Sequence, residues 1–185
     1  MNQPLLIIIS GPSCSGKSTL AKKISEKFQL PLITKDGIKE TIFDHLGWSD
    51  REWSKKVGAT SYKLISYFLD TMLASQRSLI IESNFKPELD SQPILEKLTK
   101  HNYFPLQIMC QCDGQILFER FKTRSESGER HPGHNDDKNY DEFKDMLLKG
   151  KLDPLDIGGE ILTLDTTDFD SVNYDSVFQK IVQLI

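Results

Sequence analysis

The chain has 185 residues, a formal net charge of −4 and a pI near 5.6. That length suits one domain with a sizeable core, and the acidic balance excludes a surface that coats nucleic acid broadly, though not a local basic cleft. Three cysteines, Cys14, Cys110 and Cys112, do not suggest a disulfide framework and fit reduced thiols in a cytoplasmic protein; no apolar run is long enough to span a membrane, and the N-terminus lacks the basic flank of a signal peptide.

Leu5-Leu6-Ile7-Ile8-Ile9-Ser10 reads as a buried parallel strand, apolar on both faces. Gly11-Pro12-Ser13-Cys14-Ser15-Gly16-Lys17-Ser18 follows, with the pattern G-x-x-x-x-G-K-[ST]. A helix-like segment then runs from Thr19 to Phe28, with Leu20, Ile24 and Phe28 at helical spacing. The glycines let the backbone turn tightly beside an anion, and successive N–H groups point into one concavity at the positive end of the helix. Residues Gly11 to Thr19 are the expected phosphate cradle. Lys17 is placed to reach the β- and γ-phosphates, and the Ser18 hydroxyl to sit on Mg²⁺.

Pro31 to Thr34 is a short second strand, followed by Lys35-Asp36-Gly37 and a helix from Ile38 to Leu46. Ser49, with Glu52 three residues on, reads as a capping box opening a long helix from about Asp50 to Ser75. Ser78 to Glu82 is a third strand, trailed by Ser83 and Asn84; Asp90 to Lys100 is helix; Phe104 to Cys112 is a fourth strand. Asp113 is a good N-cap for a helix from Gly114 to about Glu126. Ser127 to Asn139 is the most loop-like stretch, Tyr140 to Lys149 resumes helix, and Lys151 to Gly159 is a Pro/Gly-bearing loop. Ile161 to Asp165 is a fifth strand before a closing helix, Val172 to Ile185. Strands separated by helical crossovers predict an α/β domain over 1–185, with a parallel five-stranded sheet and helices on both faces.

Such a sheet binds ligands at the carboxyl ends of its strands. Asp36 ends the second strand and is the candidate to orient or deprotonate an acceptor, or else to cap the following helix. Lys39, one turn on, is placed to neutralise charge on the acceptor, or to lie in solvent. Glu82 ends the third strand as a candidate for holding Mg²⁺ through water or for binding the acceptor; Ser83 and Asn84 are further acceptor contacts. Arg120 and Arg124 lie four apart on one helix face, with Arg130 in the loop beyond. Arginine suits charge on a transferring phosphoryl group because its fork is bidentate and stays charged; surface pairing with Glu119 or Glu126 is the other use. His131-Pro132-Gly133-His134 reads as a turn stiffened by proline with hydrogen-bonded histidines, or as a loop that sets one imidazole over the substrate when it closes.

With these residues in view, the chain resembles the small P-loop kinases of the AAA-domain family. Relatives are the polynucleotide 5′-hydroxyl kinase domain, chloramphenicol phosphotransferase and, more distantly, zeta toxins and shikimate or gluconate kinases. The residues that carry the resemblance are Gly11 to Thr19, Lys35-Asp36 with Lys39, Glu82-Ser83-Asn84, and the arginines. The resemblance implies a three-layer P-loop NTPase fold with a helical lid over about 114–139, ATP and Mg²⁺ as cofactors, and transfer of the γ-phosphate to a hydroxyl. Asp36 would prepare the acceptor, Arg120 and Arg124 would stabilise the transferring group, and Ser127 to Asn139 would move. In the polynucleotide kinase domain an arginine follows the activating aspartate by three; here Lys39 stands there and lacks the bidentate clamp. A small-molecule acceptor is therefore expected before a nucleic-acid 5′ end; an ATP-binding module without an acceptor is a further alternative.

Overall fold

The computed structural model describes residues 3–185. Five strands form one sheet: β1 (Leu5–Ser10), β2 (Leu32–Thr34), β3 (Leu79–Glu82), β4 (Phe104–Gln111) and β5 (Glu160–Asp165). Their spatial order is β2-β3-β1-β4-β5, and every pair is parallel. Seven helices connect and close it: α1 (Lys17–Phe28), α2 (Lys35–Leu46), α3 (Arg51–Leu73), α4 (Pro87–His101), α5 (Gly114–Glu126), α6 (Tyr140–Leu148) and α7 (Tyr174–Leu184). Two short 3₁₀ turns, Pro132–His134 and Asp136–Lys138, lie between α5 and α6.

The continuous apolar run of β1 is explained by its central place. Successive side chains of a strand point to opposite faces. Leu5, Ile7 and Ile9 pack with Leu20 and Ile24 of α1 and with Val177 and Ile181 of α7. Leu6 and Ile8 pack with Leu69 and Leu73 of α3 and with Ile94 and Leu98 of α4. Each such fully buried side chain contributes about 1.5–3 kcal/mol of transfer free energy. A third, smaller cluster joins Leu117, Phe118 and Phe121 of α5 to Leu147 of α6. Residues 151–159 are anchored by Gln107 of β4. Its amide donates to the Leu155 carbonyl at 2.9 Å and accepts from the Leu155 N–H at 2.8 Å.

Two helix caps differ from the sequence expectation, and α4 begins at Pro87, three residues before the expected Asp90. Thr34, the last residue of β2, caps α2: its hydroxyl accepts from the Gly37 N–H at 3.1 Å. The helix therefore begins at Lys35, and Asp36 lies inside its first turn with its carboxylate free for other partners. Asp50 caps α3 in place of Ser49, accepting from the Trp53 N–H at 2.8 Å, while Glu52 reaches forward to Lys55 at 3.1 Å. No capping box forms, because the N-cap lies one residue later than Ser49. Thr34→Ala is expected to cost about 1 kcal/mol of folding free energy, read as a lower denaturant midpoint at unchanged slope; an unchanged midpoint would show that this cap does not hold the helix.

The parallel register sets the site. Ile9 and Thr34 both pair with Glu82, so β1, β2 and β3 end together. The loop after β1, the first turn of α2 and the last residue of β3 are thereby brought to one place.

Candidate functional site

Gly11 adopts φ 151°, and a Cβ there would lie 2.4 Å from the Cys110 carbonyl oxygen. Only glycine lets the chain leave β1 this close to β4. The loop then wraps on itself: the Ser15 hydroxyl donates to the Pro12 carbonyl at 2.8 Å, and Lys17 Nζ donates to the same oxygen at 2.7 Å. Gly16 precedes α1 in a left-handed conformation and supplies no side-chain cap, so the first N–H groups of α1 meet no capping side chain. Open N–H groups at a helix start form an anion site.

Thr166, just beyond β5, ties this loop to the sheet: its hydroxyl lies 3.0 Å from the Ser15 carbonyl and 2.9 Å from the Gln111 carbonyl. Thr166 did not emerge from the sequence; the only signal was a polar residue directly after the fifth strand.

Glu82 is 4% exposed, and its Oε2 accepts from the Ser18 hydroxyl at 3.3 Å while Oε1 lies 3.9 Å from Lys17 Nζ. Burial pushes its pKa up, against the opposing pull of the Lys17 ammonium. A hydroxyl and a carboxylate side by side next to a phosphate cradle are the oxygen donors Mg²⁺ accepts, since it keeps most of its shell as waters and phosphate oxygens. Ser18 and Glu82 are such a donor pair; no group of three or more His, Cys, Asp or Glu side chains fit to hold a metal exists among the described residues.

A cavity of about 740 Å³ opens over the loop and runs between Lys17, Thr19, Arg120, Arg124 and Phe169. Arg120 is engaged at its far end: it donates to the carbonyls of Thr166 and Thr167 at 2.8 and 2.7 Å, and its guanidinium lies 3.7 Å from the centre of the Phe169 ring. Arg124 is held differently. Its Nε and one terminal nitrogen are shielded from solvent without a hydrogen-bond partner, and its nearest carboxylate is Asp136 at 4.0 Å. Neither arginine pairs with Glu119 or Glu126, which bond Gln115 and Tyr140. Both arginines line the cavity; Arg120 has two terminal nitrogens engaged, Arg124 none.

A second cavity, of about 300 Å³, lies under α2 and α3. Asp36, with its side chain 42% exposed, meets Arg130 at 2.9 Å. Burial raises the pKa of this carboxyl, but the guanidinium of Arg130, then His134 and Lys35, outweigh it and hold Asp36 well below the usual carboxylate range. Arg130 also pairs with Asp136 at 3.1 Å and Glu40 at 3.3 Å. His134, 3% exposed, sets Nε2 2.9 Å from Glu40 and Nδ1 3.0 Å from an Arg130 nitrogen and 3.5 Å from Lys39 Nζ. Two cationic donors at Nδ1 make it the acceptor, so the neutral ring carries its proton on Nε2 and donates to Glu40.

The segment carrying these residues is packed down. Gly133 sits so close to α2 that a Cβ would lie 2.5 Å from Phe43. Ser83 and Asn84 converge on Tyr62, whose hydroxyl accepts from Ser83 at 3.0 Å and donates to the Asn84 carbonyl at 2.9 Å.

Lys39 is 6% exposed and bonds the Ser54 hydroxyl at 2.9 Å. Burial, reinforced by Lys35, lowers its pKa from 10.5 to about 8. That corresponds to roughly 3 kcal/mol against the charged ammonium. It faces Lys35 and Asp36 on its own helix, Arg51 and Ser54 on α3, and Arg130 and His134 beyond α5. Between pH 8 and 10.5 the unfolded chain holds this proton and the folded chain does not, so folding stability gains with pH across that window. Denaturant midpoints of the natural protein and Lys39→Met should converge or cross as pH rises through it; a constant difference would show that Lys39 titrates normally.

The two cavities have four residues in common: Ser13, Lys17, Asp36 and Glu82. A model of the AAA domain family matches residues 6–148, the stretch from the phosphate loop through the arginines to α6. The chain belongs to the AAA domain family. Its fold extends over the whole length of a crystal structure at 1.70 Å of a candidate kinase from Chloroflexus aurantiacus J-10-fl. The two are 40% identical over 99% of each chain, with a TM-score of 0.93. A sugar kinase from Janibacter sp. HTCC2649 superposes with TM-score 0.59 at 13% identity, over 98% of this chain and 94% of that one. A gluconokinase from Sinorhizobium meliloti 1021 does so with TM-score 0.53 at 14% identity, over 97% and 90%. These last two show the fold alone. No curated protein matches the chain. For this AAA domain protein the five-stranded parallel sheet and P-loop kinase fold are thus shared features.

Sequence reasoning missed several lining residues of the second cavity. Arg51, Asp136, Glu142 and Phe143 all border the second cavity. Arg51 forks onto Glu142 at 2.7 and 2.9 Å and packs 4.8 Å from the Phe143 ring centre. Their signal was faint: a capping turn and an amphipathic helix, joined only by the fold.

Proposed function

We propose that this protein is an ATP- and Mg²⁺-dependent phosphotransferase acting on a hydroxyl of a small molecule. The observation that carries this is the shared border of the two cavities: a large one over the phosphate loop and a small one beside it, meeting at Lys17, Asp36 and Glu82. A site that only bound nucleotide would have no use for the second chamber, or for a carboxylate facing it.

When bound, ATP with Mg²⁺ supplies the phosphoryl group: the bond from γ-phosphorus to the β,γ-bridging oxygen breaks, the bond to the acceptor oxygen forms, and the diphosphate leaves with the electron pair. The chain's own residues position and neutralise. The N–H groups of the loop and of the start of α1 hold phosphate oxygens, and Lys17 supplies charge at the border. Ser18 and Glu82 hold the metal. Asp36, kept ionised by Arg130, accepts the hydrogen bond of the acceptor hydroxyl and aims its oxygen; the hydroxyl proton passes to its carboxylate and then to solvent. A carboxylate with so low a pKa is a weak base, but a loose transition state asks for orientation more than for early proton removal. Arg124 and Arg120, which line the loop cavity, cover the charge of the transferring group.

The test is a phosphorylation screen with labelled ATP across small hydroxylated metabolites and 5′-hydroxyl oligonucleotides. Transfer to a small molecule supports the reading. Transfer only to oligonucleotides would replace it with the nucleic-acid alternative, and ATP binding with no transfer to any acceptor would reduce the protein to a nucleotide-binding module.

A further inference from the structure

The second cavity carries more positive charge than its own carboxylates balance. Lys17, Lys35, Lys39, Arg51, Lys86 and Arg130 line it. Its carboxylates are already engaged: Glu82 beside Lys17, Glu142 forked on Arg51, Asp36 and Asp136 on Arg130.

Lys35 and Lys39, like the exposed Lys86, are left without a carboxylate oxygen within 4.0 Å among the described residues. Their polar partners are uncharged. Lys39 bonds the Ser54 hydroxyl and faces the neutral His134 ring, while Lys35 Nζ donates to Asn84 Oδ1 at 3.2 Å and lies 4.7 Å above the Tyr62 ring. Burial lowers the pKa of both. Desolvated cations are unfavourable unless a counter-charge meets them, and inside a walled cleft their field is focused on whatever enters. Asp36 acts on both ammoniums only at longer range, so a directly paired counter-charge is what an anionic ligand would add.

We propose that the acceptor is a small hydroxylated anion, its carboxylate or phosphate oxygens held by Lys35 and Lys39 and its hydroxyl presented to Asp36. This rests on the phosphotransfer reading of the same site. The two ends are told apart by charge: the Asp36 carboxylate repels the anionic end and accepts from the hydroxyl, and the lysines attract the anionic end. A cavity of about 300 Å³ is at the small end of ligand sites and suits a compact metabolite, not a polymer.

The experiment fills the phosphate loop first. Protein saturated with a non-hydrolysable ATP analogue and Mg²⁺ is titrated calorimetrically with matched pairs: glycerate against glycerol, an aldonate against its alditol, a sugar phosphate against the free sugar. Labelled-phosphate transfer from ATP is then measured on the same pairs. The anionic member of at least one pair is expected to bind tenfold or more tightly than its neutral partner, with affinity falling as salt rises. The carboxylate and phosphate pairs decide which oxyanion is held. Lys39→Met and Lys35→Met should each remove about tenfold of the anion's affinity, and both keep the length of the stem so that the cavity wall remains. Neutral members binding as well as anionic ones, no anion binding to the nucleotide-filled protein, or anion affinity unchanged in both variants would each overturn the proposal. Lysine-dependent anion binding without any transfer would uphold the anion site and defeat the phosphotransfer reading. Transfer to neutral acceptors alone would do the reverse.

Discussion

Lys17→Met is expected to lower phosphoryl transfer by roughly 10³-fold, the cost of removing one preorganised charge from where charge develops in a transition state. The methionine keeps the apolar stem and loses the ammonium that now bonds the Pro12 carbonyl and faces Glu82. A second effect should follow. The Lys17 ammonium is the strongest pull opposing the upward push of burial on the Glu82 pKa. Without it the carboxyl holds its proton to higher pH and becomes a poorer metal donor. The variant should therefore need more Mg²⁺ for half-maximal rate, and less so as pH rises. Single-turnover transfer within threefold of the natural protein would remove Lys17 from the proposed chemistry.

Asp36→Asn should lower turnover by about 10²- to 10⁴-fold and leave nucleotide affinity near its starting value. Asparagine keeps the shape and still meets Arg130, which retains Asp136 and Glu40 as ionic partners. What it loses is the negative charge that draws in the acceptor hydroxyl proton. The pH profile separates this from a merely structural effect. Asp36 is held ionised far below the usual carboxylate range, so the natural protein should lose no activity to its protonation between about pH 5 and 7, a span lying above even the ordinary aspartate pKa. An acid limb in that range that disappears in Asp36→Asn would contradict the depressed pKa. Turnover of the variant equal to the natural protein's would show that Asp36 does not orient the acceptor.

Much of the fold is legible in local patterns. The apolar runs that become β1, β3 and β4 are buried on both faces, and such runs stand out from their flanks whatever they pack against. The phosphate loop is legible because each of its positions answers to a backbone constraint. Convergence of Asp36 and Glu82 follows from their both ending parallel strands. The acceptor side was less legible, since its geometry depends on which distant residue arrives. Lys39 reads equally well as solvated surface until Ser54 of α3 and His134 are packed over it. Nothing near Arg120 in the sequence shows that its guanidinium also bonds the carbonyls of Thr166 and Thr167, almost fifty positions away. Asp113 caps α5 as expected; the other two caps differ for a local reason: several neighbouring Ser, Thr and Asp side chains can each accept from the first turn, and the strand end, not the residue type, decides between Thr34 and Asp36.

The common border of the two cavities has a kinetic meaning. Ser13, Lys17, Asp36 and Glu82 face both chambers at once, so donor and acceptor must be present together for the border groups to meet their full set of partners. Under the proposed chemistry the reaction order is then sequential: initial-rate lines at varied ATP and acceptor intersect, and parallel lines, the mark of a phosphorylated protein formed before the acceptor arrives, should not appear.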